Sequence, residues 1–347
     1  MEKQTDQPSP AGIMQIGMGF WASKILLTAV NFQLFTHLAL QPGMTGKEIK
    51  ALLKLNCLDR HVFDFLDVLT SFGFLQRNGL LETARYSNSP DTETFLDKAK
   101  PSYIGGVLEM MNNRLYGFWG SLQEGLETGL AQNEAKNNEE SFFQVAYKDP
   151  AILKQFVNAM TGLQMGNFTA LAQGFDFSPY KTFVDVGGSG GVLSLMVAKY
   201  NPHITCTTMD LPPVEPIARA TIEQFQLSDR VKAISGDFFT GQLPKADVIT
   251  MGNILHDWNE ENKIMLIKKA YDALPDGGVF IAVENIIDDD RMQNSFGMMM
   301  SLNMLIETTD GFDYSFADFN NWAKQAGFKS TALMPLTGPT SAAIAYK

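Results

Sequence analysis

Thr182-Phe-Val-Asp-Val-Gly-Gly-Ser-Gly-Gly191 decides the fold: an apolar run reaches Asp185 and opens into a glycine-rich turn. Val192-Leu-Ser-Leu-Met-Val-Ala then reads as a helix. Strand, glycine turn and helix together make a nucleotide site, because glycines let the backbone approach a ligand closely. A dinucleotide would set its pyrophosphate on this turn and on the helix N-terminus. Asp185, two residues before Gly187, would repel that anion and suits a cationic end instead.

Two further acids extend the pattern. Ile204-Thr-Cys-Thr-Thr-Met-Asp210 reads as a second strand ending in an acid, placed to grip ribose hydroxyls, with Leu211 beside it. Val231-Lys-Ala-Ile-Ser-Gly-Asp237-Phe238 reads as a third, whose carboxylate and ring suit an adenine. A nucleoside with a positive sulfonium meets all three acids, so S-adenosylmethionine is the expected cofactor, held by Asp185, Gly187, Gly188, Gly191, Asp210, Leu211, Asp237 and Phe238.

From residue 179 onward strands and helices alternate, the pattern of a doubly wound, mostly parallel sheet. The expected strands are 182–186, 204–210, 231–235, 246–251 and 279–284, followed by an antiparallel hairpin of Thr331–Leu336 and Ser341–Tyr346. Ligands bind beyond the carboxyl ends of such strands, where the order reverses. That crevice falls between the strands ending at Asp185 and Met251. Just past the latter, Asn253-Ile-Leu-His256-Asp-Trp-Asn-Glu-Glu261 puts an imidazole beside the cofactor, placed to take a proton from a hydroxyl. An isolated loop histidine is usually a backbone hydrogen-bond partner, but this location favours catalysis. Glu284, ending the fifth strand, is expected to bond one ring nitrogen, and Asp313 is the other acid expected near the ring.

The first hundred residues read as helices and one hairpin, a winged-helix pattern. Gly19 to Leu40 carries Lys24 as its one formal charge and reads as a long buried helix, which in a small domain suggests a partner chain. Thr45-Gly-Lys-Glu48 is a capping box, Asp59–Phe72 a helix, and Asn78-Gly79 a tight hairpin turn. A DNA-binding role is rejected, because the would-be recognition helix carries Asp59, Asp64 and Asp67 against Arg60 alone. Residues 1–100 hold ten basic and ten acidic side chains, so the net charge of −11 lies beyond them. Residues 101–178 read as connecting helices, including Leu108–Leu130 and Ala151–Gln173. The polar N-terminus lacks a signal-like apolar region, and apolar stretches are expected to break before spanning a bilayer. Cys57 and Cys206 read as reduced core residues of a cytoplasmic protein, and no metal cluster is evident.

The chain resembles the class I S-adenosylmethionine-dependent O-methyltransferases of the plant caffeate and acetylserotonin types. The motifs are Phe183-Val-Asp-Val-Gly-Gly, Met209-Asp210-Leu-Pro, Gly236-Asp237-Phe-Phe, Leu255-His256-Asp-Trp-Asn-Glu-Glu, Leu274-Pro-Asp-Gly-Gly and Ala326-Gly-Phe. The resemblance implies a Rossmann-like catalytic domain over 179–347, a helical linker over 101–178 lining the substrate pocket, and a winged-helix dimerisation domain over 1–100. It implies a homodimer, a small aromatic hydroxyl substrate, no nucleic acid and no membrane, and S-adenosylhomocysteine as product. His256 matches the general base, Glu284 and Asp313 its flanking acids, and Asn303 a substrate-pocket asparagine. Met160, Met299 and Phe143 are expected to line that pocket with flexible apolar surface. Ser189 stands where the family has glycine, Asp313 where it usually has Glu, and Gly252 where plant members often have lysine. Methylation of carbon or nitrogen, or a non-methylating hydroxylase or pericyclase on the same scaffold, are the alternatives.

Overall fold

In β4 (Thr182–Val186), β7 (Val248–Gly252) and β8 (Val279–Glu284) nearly every side chain is buried, as expected of strands covered on both faces. The computed structural model describes residues 8–100, 102–134, 136 and 147–347. The chain divides into two compact units, Met1–Arg114 and Leu115–Lys347.

In the second unit, β5 (Thr205–Asp210), β6 (Val231–Ser235), β9 (Ser330–Pro335) and β10 (Ser341–Tyr346) complete a seven-stranded sheet of order β6-β5-β4-β7-β8-β10-β9. The first five strands are parallel, and β10 runs antiparallel to both β8 and β9. The order therefore reverses between β4 and β7, at the crevice expected from sequence. Alternate side chains feed two cores. Val184, Val186, Ile249, Met251 and Phe280 meet the Glu260–Ala273 and Phe316–Ala326 helices. Phe183, Cys206, Val248 and Ile281 meet the Val192–Tyr200 and Pro150–Gly174 helices. β7 starts two residues later than expected. Asp247 Oδ2 instead accepts the Lys181 and Thr182 amides at 2.8 and 2.9 Å, capping the amino end of the neighbouring strand β4.

The expected helix Leu108–Leu130 is interrupted. A π-helical turn spans Met111–Leu115, and a separate helix, Leu122–Thr128, ends at left-handed Gly129. The Pro150–Gly174 helix agrees with its reading to within a residue at each end.

In the first unit, β1 (Met44–Thr45), β2 (Leu75–Asn78) and β3 (Arg85–Asn88) form a sheet of order β1-β3-β2 beside the helices. The capping box is present: Thr45 Oγ1 accepts the Glu48 amide, and Glu48 Oε2 accepts the Thr45 amide at 2.7 Å. Two expectations are corrected. The Gly19–Leu40 helix breaks into Gly19–Asn31 and Leu34–Leu40, because Gln33 adopts a left-handed φ of 53°. The hairpin connection is not two residues but the whole of Gly79–Ala84, containing a 3₁₀ turn. A third correction concerns hydropathy. Helix begins at Ala11, and the 21 residues Ala11–Asn31 contain an 18-residue window of mean hydropathy 1.4, long and apolar enough to cross a membrane by length and composition. It exposes Ile13, Ile16, Phe20 and Trp21. A fourth correction concerns the cysteines: Cys206 is buried as expected, but Cys57, in the loop before the Asp59–Ser71 helix, is exposed.

Candidate active site

The glycine turn is built by steric necessity. Gly187 and Gly191 have φ of 70° and 77°, and Ser189 shares that left-handed region at 49°. The amides of Gly187 and Gly188 donate to Met209 O at 2.8 and 3.1 Å, tying the turn to the end of β5. A Cβ on Gly188 would strike Thr208 Oγ1 and lie 2.7 Å from Asp185 Oδ2; one on Gly187 would strike Ile254 and lie 3.7 Å from the Phe238 ring. Beneath the turn, register aligns Thr208, Asp185 and Thr250 across β5, β4 and β7. Thr250 Oγ1 donates to Asp185 Oδ1 at 2.8 Å. Burial pushes Asp185 up to about 7, against the Thr250 bond and with help from Asp210.

Asp210 receives the Leu211 amide at Oδ1 (2.7 Å) and the Ser189 amide at Oδ2 (2.8 Å). Burial raises it to about 6, against those two bonds. Asp237 is more open. Burial opposes its charge, yet the Phe239 amide at 2.8 Å and the Thr240 hydroxyl at 2.8 Å hold its carboxyl below the usual range. Phe238 packs edge-on to Trp258, with centroids 6.3 Å apart. The Ser189 and Thr208 hydroxyls are buried without a hydrogen-bond partner. Unspent donors, a turn that excludes side chains and acids at three strand ends fit a nucleoside with a cationic arm.

The second half of the site follows β7. His256 sits in a 3₁₀ turn, Leu255–Asp257, and is buried. Its Nδ1 lies 3.4 Å from Asp313 Oδ1 and its Nε2 lies 3.5 Å from Asp257 Oδ1. Burial works against a charged ring, but Asp313, Asp257 and Glu284 outweigh it and push His256 up to about 10. That exceeds the near-neutral value expected of an exposed histidine. Glu284 is fully buried, and its Oε1 accepts the amides of Ile254, Leu255 and His256 at 3.1, 2.8 and 3.3 Å. It therefore holds the turn through the backbone, where sequence suggested a ring bond. Burial raises its pKa, with Asp313 adding to the rise. His256, Glu284 and Asp313 bring one ligand-type atom each within 4.8 Å of one another. Glu284 Oε1 is committed to three amides, and the ring is flanked by two carboxylates.

Residues 119–329 match the O-methyltransferase domain family, and residues 14–98 match the O-methyltransferase dimerisation domain. The chain belongs to the O-methyltransferase family. It is an S-adenosylmethionine-dependent enzyme of that family, with the fold the sequence implied. It is 34% identical to the tetracenomycin polyketide synthesis 8-O-methyl transferase TcmO of Streptomyces glaucescens, over 100% of this chain and 99% of that one. It is 29% identical to the N,N-dimethyltransferase OxyT of Streptomyces rimosus, covering 91% and 90% of the two chains. The solved structure of PigF with S-adenosylhomocysteine superposes with a TM-score of 0.87 at 26% identity, covering 98% of this chain and 100% of that one.

Around this O-methyltransferase centre the expected substrate residues fall in different settings. Asn303 Oδ1 accepts the Trp119 indole N–H at 2.9 Å. Met160 is half-buried on the Pro150–Gly174 helix, whereas Met299 is 50% exposed. Phe143 lies outside the described residues. At Gly252 a Cβ would lie 3.4 Å from the Phe168 ring, an ordinary packing distance. Sequence reasoning passed over Asp257, although it adjoins His256, and Lys263. Lys263 occupies the buried stripe of its helix with Leu266, Ile267 and Ala270, a charged residue where an apolar one is expected.

Proposed function

We propose that this O-methyltransferase carries the methyl group of S-adenosylmethionine to a hydroxyl of a flat, polycyclic aromatic molecule, with His256 as general base. The observation that carries the reading is one short segment: Ile254 abuts Gly187 of the cofactor turn, and His256, two residues on, stands among the acids. The cofactor supplies an electrophilic methyl group. Gly187, Gly188, Gly191, Asp210, Leu211, Asp237 and Phe238 would hold it, with Asp185 adding negative charge beneath the turn. In its free-base form, the minority species at neutral pH for a ring pushed up to about 10, His256 takes the hydroxyl proton, and Asp313 and Asp257 stabilise the imidazolium. Burial excludes water, which favours a transition state in which charge is lost. Most of the acceleration comes from in-line alignment of the acceptor oxygen.

The likeness to TcmO supports a polyketide-like phenol as acceptor. The Trp119 ring, held by Asn303, offers a flat aromatic face, and Met160 an adaptable apolar side chain. The likeness to OxyT supports a second reading with an amine acceptor. The apolar face exposed along Ala11–Asn31 falls largely within the dimerisation match, so we assign it to a homodimer, and the working compartment to the cytoplasm. The three-part organisation, 1–100, 101–178 and 179–347, remains our reading; the dimerisation match over 14–98 supports its first boundary, whereas the two compact units divide after Arg114. The test incubates the enzyme with isotopically methyl-labelled S-adenosylmethionine and matched panels of polycyclic phenols and aryl amines, and locates the label by mass spectrometry. Label on oxygen is expected; label on nitrogen or carbon alone overturns the hydroxyl assignment.

A further inference from the structure

Lys268 and Lys269 are neighbours on the Glu260–Ala273 helix with different partners. Lys268 is exposed and pairs with Asp272 one turn on. Lys269 is half-buried and reaches the turn after β6, where its Nζ donates to the carbonyls of Phe238 and Phe239 at 2.6 and 2.7 Å. Bonds from a charged donor are about twice as strong as neutral ones, so this is a firm tether on a short piece of backbone.

The tethered piece is Asp237–Gly241. Its own donors are spent inside it. The Phe239 amide and the Thr240 hydroxyl go to the Asp237 carboxylate, each at 2.8 Å, and the Gly241 amide goes to Asp237 O at 2.7 Å. These bonds fix the shape of the turn but not its place. The place is set from outside, by Lys269 and by the Phe238 and Phe239 rings, which stand edge-on to Trp258 with centroids 6.3 and 4.5 Å away. Phe238 also reaches the glycine turn, because a Cβ on Gly187 would lie 3.7 Å from its ring. The helix that carries Lys269 is fixed by Leu266, Ile267 and Ala270, all buried in the core. Two of the three donors of one ammonium therefore tie the Phe238 backbone to a rigid element.

We propose that Lys269 is a positioning residue for the adenine end of the cofactor: it holds the Phe238–Phe239 backbone so that the Phe238 ring stays against the glycine turn. It acts on cofactor affinity through the loop and leaves the transfer of the methyl group unchanged. The inference rests on the reading of Asp237 and Phe238 as the adenine site.

The test measures, on the full chain, the binding of two probes that share the adenine: S-adenosylhomocysteine by direct calorimetry and adenosine by displacement. Lys269→Met removes the donors on an apolar stem, Lys269→Gln keeps a neutral donor, and Lys269→Arg keeps the charge and can bond two carbonyls. Lys269→Met should weaken both probes by the same factor, about tenfold, and Lys269→Gln by about threefold, the scale of losing a charged donor or only its charge. Lys269→Arg should restore both to within about twofold of wild type. In turnover of a hydroxyl acceptor, Lys269→Met should raise KM for S-adenosylmethionine about tenfold and keep kcat within about threefold. Wild-type affinity of Lys269→Met for both probes overturns the proposal. So does a loss confined to S-adenosylhomocysteine, which places the effect outside the adenine, or a fall in kcat with KM unchanged. Phe238→Ala separates the proposal from the reading beneath it. If Phe238→Ala weakens both probes and Lys269→Met weakens neither, the proposal alone fails. If Phe238→Ala binds both probes as the wild type does, the adenine assignment fails and the proposal with it. If neither Lys269→Met nor Lys269→Gln folds, Lys269 is structural and the proposal is wrong.

Discussion

Replacing Glu284 with alanine tests the account of the catalytic turn. One oxygen of this fully buried side chain accepts three amides, from Ile254, Leu255 and His256. Leaving a buried donor unpaired costs about 1–3 kcal/mol. The 2.8 Å bond to Leu255 counts in full, the 3.1 Å bond nearly so, and the 3.3 Å bond for about half. Allowing for relaxation of the turn, Glu284→Ala should lose about 3–5 kcal/mol. Glu284→Gln keeps an amide oxygen as acceptor. It loses the charge-assisted part of those bonds and gains relief from burying a charge, so its loss should be about 1 kcal/mol. The assay is guanidinium unfolding of the cofactor-free protein, reading the midpoint at unchanged m. A Glu284→Ala protein within 1 kcal/mol of wild type would show that the turn stands without the carboxylate. Glu284→Gln losing as much as Glu284→Ala would show that the charge, not the acceptor, matters.

Three further outcomes follow from the cofactor half and the buried acids. Ser189 sits at φ 49° with an unpartnered buried hydroxyl, so Ser189→Gly should stabilise the protein by about 1 kcal/mol in the same unfolding assay, and a loss of stability would contradict the strain. Gly188→Ala would press a methyl group onto Thr208 and Asp185; calorimetry should show S-adenosylmethionine affinity lowered at least about tenfold with the circular dichroism spectrum kept, and unchanged affinity would remove that turn from the cofactor site. Asp185 and Asp210 are held at about 7 and about 6 in the folded chain, above an unfolded value of about 3.9, and His256 at about 10 above about 6.5. The unfolded chain therefore gives up these protons first, and stability falls as pH rises from about 5 to 9. Tm should drop across that range and drop less in Asp185→Asn, whereas a Tm that rises across it is the contrary result.

Much of this was legible in the chain because strand periodicity and strand-end acids are local signals. β4, β6 and β8 fall where the apolar runs ended, and the reversal between β4 and β7 followed from alternation of strand and helix. What was not legible depends on neighbours distant in sequence. The backbone break at Gln33 and the π turn at Met111–Leu115 interrupt segments that read from sequence as continuous helices. The six-residue wing was hidden behind an Asn-Gly pair that ordinarily makes a two-residue turn. Glu284 was placed correctly at a strand end. Its partners could not be read, because the amides it binds belong to a turn some thirty residues earlier in the chain. The Thr208–Asp185–Thr250 row exists only once three strands are in register. Lys263 did leave a sequence signal, as the one charged residue in the buried stripe of its helix.

The most direct measurement of the central claim is the turnover and cofactor affinity of His256→Gln on the best hydroxyl acceptor from the panel. With the turn held by Glu284 through the backbone, the substitution should leave S-adenosylmethionine affinity within about threefold. It should lower turnover by roughly 10²–10⁴-fold, the usual size of general-base catalysis. A variant that turns over at the wild-type rate with an unchanged pH profile would contradict the assignment and show that alignment alone drives the transfer.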